Sequence, residues 1–379
     1  MNETDFDVVI IGGGPAGSAA GINLARRGLN TALIERKTFP RETLCGEFLS
    51  AEVIIHLKEL DIFEKFELLG PNRISTFRLV TSNNKLFETR LPFEGYSIKR
   101  SVFDSFLLNE AVKSGVKVFQ PAEVKEVRRD GKNFCLRILI DNDLRDISSK
   151  LVIGAYGKSN ILDKKLNRTF KGSRSGYYGI KFHLKKELLS NVIDSVIYIF
   201  SGHNIYCGLN TVNDDEVTIC FLGKKDSFKD SPGVQLVNLM KENKYFASLF
   251  KDKKSIDLSR QQIYGTGNIY FGKKNITPGG IIMIGDAAGL IAPLAGDGIG
   301  IAIQSAKIAS EVISDFFIKN FDQTEIYSMY QTSWEKHFTK RILIAKGIQN
   351  IIMSGYFNKI PPGIIRSFIP YLISATRNR

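Results

Sequence analysis

The first long apolar stretch, Val8 to Ala25, carries no charge over 18 residues, which is the length of a membrane span. Its composition argues against a span, because five glycines, Pro15, Ser18 and Asn23 interrupt it. The run Asp7-Val-Val-Ile-Ile instead predicts a buried strand that ends at a glycine turn. A helix is expected from Ala16 to Arg27, closed by Gly28, with a second strand over Thr31 to Glu35. Further on, Phe103 to Lys113 reads as a helix, and Val116 to Phe119 and Leu151 to Ala155 as strands. The middle of the chain changes character. Tyr177 to Leu184, Ser195 to Phe200, Ile205 to Val212 and Glu216 to Leu222 are short β-branched or aromatic runs between polar turns, which predict an antiparallel sheet. Gly280 to Gly285 returns to the parallel buried-strand pattern. Ile299, Ala302, Ile303, Ala306, Ala309, Ile313 and Phe316 then trace one face of a long amphipathic helix.

Composition narrows the classes. A chain of 379 residues with 43% hydrophobic and 24% charged residues can bury a large core unaided. Cys45, Cys135, Cys207 and Cys220 form no CxxC pair, and the four histidines no HxxxH pair, so zinc ribbons and zincins are excluded. The acidic Met-Asn-Glu-Thr-Asp start lacks the basic n-region of a signal peptide, and a reduced, cytoplasmic protein is expected. The net charge of +13 would suggest nucleic acid, but eight of those charges lie between Lys336 and Arg379, a segment without Asp or Glu. The first 335 residues keep only +5, so no nucleic-acid partner is expected. A helical face of Phe338, Ile342, Ala345, Gln349, Ile352 and Tyr356 lies in that basic segment. Its first reading is a cap over the substrate pocket, and its second is peripheral contact with an anionic membrane.

Gly12-Gly13-Gly14-Pro15-Ala16-Gly17 is a GxGxxG that follows a strand and opens a helix. Gly12 allows the tight turn, Gly14 lets a pyrophosphate approach the backbone, and Gly17 lets helix and strand pack closely. The helix N-terminus favours the phosphate charge. Glu35, at the end of the second strand, is placed for an adenosine ribose, so the combination predicts a dinucleotide site. A second glycine-rich block, Ile284-Gly-Asp286-Ala-Ala-Gly289, is followed by Pro293 and Gly296-Asp297-Gly298-Ile299-Gly300. The false friends Gly157-Lys158-Ser159 and Gly172-Ser-Arg-Ser-Gly176 lack the glycine and the central serine that a P-loop and a nucleophile elbow need.

The two motifs together resemble the flavoprotein superfamily of p-hydroxybenzoate hydroxylase and geranylgeranyl reductase, with its glutathione-reductase-type FAD fold. The resemblance implies FAD, with Asp286 at the ribityl chain and Pro293, Gly296, Gly298 and Ile299 beside the isoalloxazine. Arg41 to Leu49 (RETLCGEFL) resembles the reductases' Cys-Gly segment near the flavin, which brings in Cys45 and Gly46. Cys45 is also the one catalytic candidate. Lys99-Arg100-Ser-Val-Phe-Asp104 resembles the helix start whose arginine approaches FAD, and Arg36 and Val124 complete the expected cofactor contacts. Tyr156 stands where the hydroxylases carry an Asp. There is no second nucleotide fingerprint, so NAD(P)H is expected only as a transient electron donor, or a separate reductase serves. The reductases' Tyr-x-Trp-x-Phe-Pro motif is missing, and Trp334, the single tryptophan, excludes the two-tryptophan motif of standard halogenases.

The expected class is α/β: a Rossmann-like FAD-binding domain with an inserted antiparallel β-sheet substrate domain and a C-terminal helical segment. The FAD-binding domain takes 1–72, 99–165 and 275–320, the substrate domain 73–98 and 166–274, and the helical region 321–379. Three functions are weighed, and the first of them is the expected one. The first is a monooxygenase that hydroxylates or epoxidises an apolar or aromatic small molecule through a flavin C4a-hydroperoxide. The second is an ene-reductase of isoprenoid or polyene C=C bonds, and the third a non-redox FAD-binding cyclase or binding protein. Substrate and oligomeric state are not legible in the sequence.

Overall fold

Strands without polar alternation must bury both faces, and a parallel sheet between helices does that. Phe6–Ile11 lies at the centre of such a sheet, with all but one of its residues buried. It pairs in parallel with Thr31–Ile34 on one side (Ile11 opposite Ile34) and with Asp143–Gly154 on the other (Ile11 opposite Gly154). Lys117–Phe119 extends the first edge. The long strand Asp143–Gly154 is shared: Ile282–Met283 pairs in parallel with its end, while Asn133–Ile140 and Ala122–Asp130 add an antiparallel meander along its start. The structure is a computed structural model that describes residues 4–158, 160–168, 170, 176–202, 204–228, 231–251 and 261–354.

Helices Pro15–Ala25 and Gly298–Lys319 pack against each other over this sheet. The last helix among the described residues, Gln323–Met353, inserts Tyr330, Trp334 and Phe338, all fully buried, into the same core. The second sheet has eight strands in the order Tyr264–Ile269, Tyr177–Lys185, Glu216–Lys224, Ile205–Thr211, Val196–Ser201, Asn72–Val80, Leu86–Ser97, Phe48–Leu49. Helices Pro232–Glu242 and Lys244–Ser248 cover one of its faces, with Leu236 and Phe246 against Phe182, Phe200 and Phe221. Its other face looks toward the first sheet's glycine turns.

Three expectations change. The inserted sheet is not wholly antiparallel, because Val196–Ser201 runs parallel to Asn72–Val80. Gly280 to Gly285 yields only a two-residue strand, since Gly279, Gly280 and Gly285 adopt φ of 59°, 79° and 57°, which an extended strand cannot contain. The helix expected from Phe103 begins at Arg100. Ser159, Gly172 to Ser175 and Tyr356 lie outside the described residues. No helix among the described residues is long and apolar enough to cross a membrane.

Candidate functional site

One cavity of about 720 Å³ opens between the two sheets. It gathers Gly12, Gly14, Pro15, Ala16, Glu35, Arg36, Cys45, Gly46, Arg100, Val124, Asp286, Pro293, Gly296, Gly298 and Ile299. Gly17 stays behind this wall. A Cβ on Gly17 would fall 1.9 Å from the Gly12 carbonyl oxygen, so glycine is needed there for helix to meet strand. At Gly14 a Cβ would meet nothing nearer than Arg41, at 3.6 Å, and at Gly298 nothing nearer than Ile291, at 4.0 Å. Both backbones are therefore bare toward a ligand. Each begins a helix, whose first N–H groups have no partner within the helix and whose dipole favours an anion. Glu35 is buried, and its carboxylate accepts from the Gly13 N–H (2.7 Å) and the Lys37 N–H (2.9 Å).

The segment with Cys45 and Gly46 is held from several sides. The Cys45 Sγ accepts from the Glu47 N–H at 3.3 Å and also meets the Arg100 guanidinium. Arg100 forks onto Asp104 at 2.7 and 2.9 Å. Burial works against the Arg100 charge, but Asp104 and Cys45 overcome it and raise its pKa. Glu47 has φ of 59°, a left-handed conformation that costs about 1 kcal/mol. Its fully buried carboxylate accepts from Lys181 Nζ (2.5 Å), meets His183 Nε2 (2.7 Å) and takes the Arg100 N–H (2.8 Å). Burial pushes the Glu47 carboxyl up, yet His183 and Lys181 hold it below the usual carboxylate range. Lys181, also fully buried, bridges to Glu42 at 2.7 Å. Glu42, Glu47 and His183 could by spacing take a metal ion, but the Lys181 ammonium already supplies the cation among them.

Residues 5–315 match the family model described as FAD binding domain. The chain belongs to that family. It is 28% identical over 339 residues to a digeranylgeranylglycerophospholipid reductase of Methanocaldococcus jannaschii, covering 88% of this chain and 83% of the relative. It is 25% identical over 362 residues to a 1H-pyrrole-2-carbonyl-[peptidyl-carrier protein] chlorinase of Pseudomonas fluorescens, covering 85% and 78%. A solved flavoprotein/dehydrogenase of Cytophaga hutchinsonii shares the fold, with a TM-score of 0.78 at 18% identity over 97% of this chain and 92% of that one. The protein is an FAD-binding flavoenzyme of the oxidoreductase superfamily that includes the geranylgeranyl reductases and the flavin halogenases.

The residues present fit FAD. Bare glycine backbone stands at both helix starts, an acid ends the second strand, and Asp286 lines the wall between them. Glu35 and Arg36 would hold the adenosine end, Gly14 to Ala16 the pyrophosphate, and Asp286 the ribityl chain. Pro293 to Ile299 would hold the ring.

Other groups at this site carry little signal in the sequence. Arg41 lines the cavity beside Gly14 and contacts Asp104 at 3.4 Å. Tyr156 lines the cavity as well, and its hydroxyl donates to Asp163 at 3.0 Å and accepts from Arg168 at 3.1 Å. It thus joins a buried ion pair and supplies no carboxylate. Lys274 donates to the carbonyls of Asp286 and Lys158 at 2.7 and 2.8 Å, and burial brings its pKa down to about 8. Lys181 and His183 have one usable signal, two polar residues two apart on a strand whose opposite face, Ile180, Phe182 and Leu184, is apolar. The helical face of Phe338, Ile342, Ala345, Gln349 and Ile352 is buried, while Leu343 and Ile351 are exposed.

Proposed function

We propose that this flavoenzyme is an ene-reductase acting on an elongated apolar alkene. The observation that carries the reading is the cavity wall opposite the cofactor turns. Leu91, Phe77, Ile199, Tyr206 and Cys220 line it from five adjacent strands. At ~4.8 Å per strand spacing they span roughly 19 Å, more than one aromatic ring occupies. Such a surface orients an extended chain and keeps water away from it. Burial pushes the Tyr206 phenol well above its usual value and the Cys220 thiol up to about 12. Both groups therefore keep their protons at neutral pH, and neither can serve as a base. Reduced FAD would supply a hydride to one alkene carbon. Tyr206 or Cys220 would then deliver the proton to the other carbon and recover it from solvent. The likeness to the reductase of Methanocaldococcus jannaschii supports reduction of an alkene.

Oxygenation of the same apolar chain is the second reading, and the one ranked first on sequence. The likeness to the chlorinase favours it, because halogenation by a flavoenzyme also needs an oxidant. Electrons would come from NAD(P)H bound transiently or from a separate reductase. Anaerobic mixing of the reduced holoprotein with a long isoprenoid alkene tests both. Recovery of the oxidised flavin spectrum with a saturated product is expected, and it should slow in Y206F or C220S. No recovery without oxygen, together with oxidised product in air, would overturn reduction in favour of oxygenation.

A further inference from the structure

Asp297 immediately precedes the helix Gly298–Lys319, whose first residues line the cavity. It occupies the N-cap position, where a carboxylate ordinarily bonds its own helix, yet it makes no capping bond. Its buried carboxylate instead accepts from the Ser50 hydroxyl at 2.7 Å and from the Arg341 guanidinium. Arg341 is buried and comes from the middle of the last helix. It also donates to Glu52 Oε2 at 2.8 Å and to Gln304 Oε1 at 3.1 Å. Ser50 and Glu52 in turn begin the helix Ala51–Glu59. One guanidinium therefore joins two helix starts to the C-terminal helix. A Cβ on Gly300 would fall 2.6 Å from Asp297 Oδ1, so the carboxylate sits tightly against the backbone of the cavity-facing helix.

The electrostatics give this arrangement a function. A helix N-terminus carries about half a positive charge, which stabilises an anion in front of it. An uncompensated buried carboxylate at that point would cancel the field. We propose that Arg341 is a positioning and field-setting residue of the cofactor site. It holds the Pro293–Gly298 turn and offsets the Asp297 charge, although it shares its own charge with Glu52, so more of the helix-start field reaches the electron-rich ring of reduced FAD. The proposal rests on FAD binding here, not on the choice between reduction and oxygenation.

The test measures the midpoint potential of bound FAD in the wild type, D297N, R341M and the double variant, after FAD uptake is confirmed by absorbance. Asp297→Asn is nearly isosteric and keeps an acceptor for Ser50, so it removes charge with little change in packing. A more positive potential in D297N is expected, a more negative one in R341M, and a return toward wild type in the double variant. A merely structural link would weaken FAD binding in every variant without this sign pattern. Wild-type potential in D297N, or loss of FAD uptake in D297N alone, would overturn the proposal. A wild-type chain that takes up no FAD would overturn the cofactor reading instead.

Discussion

Replacing Gly17 with alanine tests whether the packing behind the first glycine turn sets cofactor affinity. The new Cβ would lie 1.9 Å from the Gly12 carbonyl oxygen and 3.2 Å from the Ala155 Cβ. Relieving that overlap moves the helix Pro15–Ala25 by roughly 1 Å or more away from Gly12, and overpacking of this kind costs about 1–3 kcal/mol. In the apoprotein the helix can back away. With FAD bound it must return to present its N-terminus to the pyrophosphate, so the strain appears in the affinity. At ~1.4 kcal/mol per tenfold, FAD binding should weaken by roughly 5- to 150-fold. The control is Gly28→Ala, where φ is +80° and nothing lies within 4 Å. That change adds only a backbone term of about 1 kcal/mol and should leave FAD affinity untouched. Flavin-fluorescence titration of the apoproteins, with thermal melts alongside, separates the two. If G17A binds FAD within about twofold of wild type, the packing argument fails.

Three further outcomes are expected. Arg168→Met strands Asp163 in a pair whose side chains are both fully buried and removes a bond to the Ala287 carbonyl at 2.7 Å. It should cost about 3–5 kcal/mol in urea unfolding, and a loss below ~1 kcal/mol would refute that. Lys274, with its pKa brought down to about 8 by burial, binds fewer protons folded than unfolded between pH 8 and its ordinary value near 10.5. Apoprotein stability relative to K274M should be level below pH 8 and rise with pH through that window, and a flat difference would show that Lys274 titrates normally. Finally, if the segment from Lys336 touches an anionic membrane, its basic residues other than the buried Arg341 will pellet the protein with anionic liposomes at low salt and release it at high salt. Absence of pelleting at both salts would remove the membrane contact.

The local signals read true wherever one short segment contains its own reason. The strand–glycine–helix–acid series from Asp7 to Glu35 dictates a nucleotide fold because tight turn, bare backbone and helix dipole all lie within one βα unit. The Gly-Asp-Ala-Ala-Gly block is also a glycine turn, but the α-helix that follows it begins only at Gly298. The glycine pattern over 280–285 misled, because apolar composition looks the same whether the glycines extend or turn left-handed. Nothing local predicts that Lys181 and His183 reach Glu47 across 134 and 136 residues, or that Arg341 pairs with Asp297 across 44. Those pairs follow from sheet order and helix docking, which bring distant charges into one low-dielectric space where each requires a partner. The sequence by itself therefore determined which cofactor chemistry the chain carries. Only the tertiary structure decided which buried charges hold its turns in place, and how far the apolar wall runs across five strands.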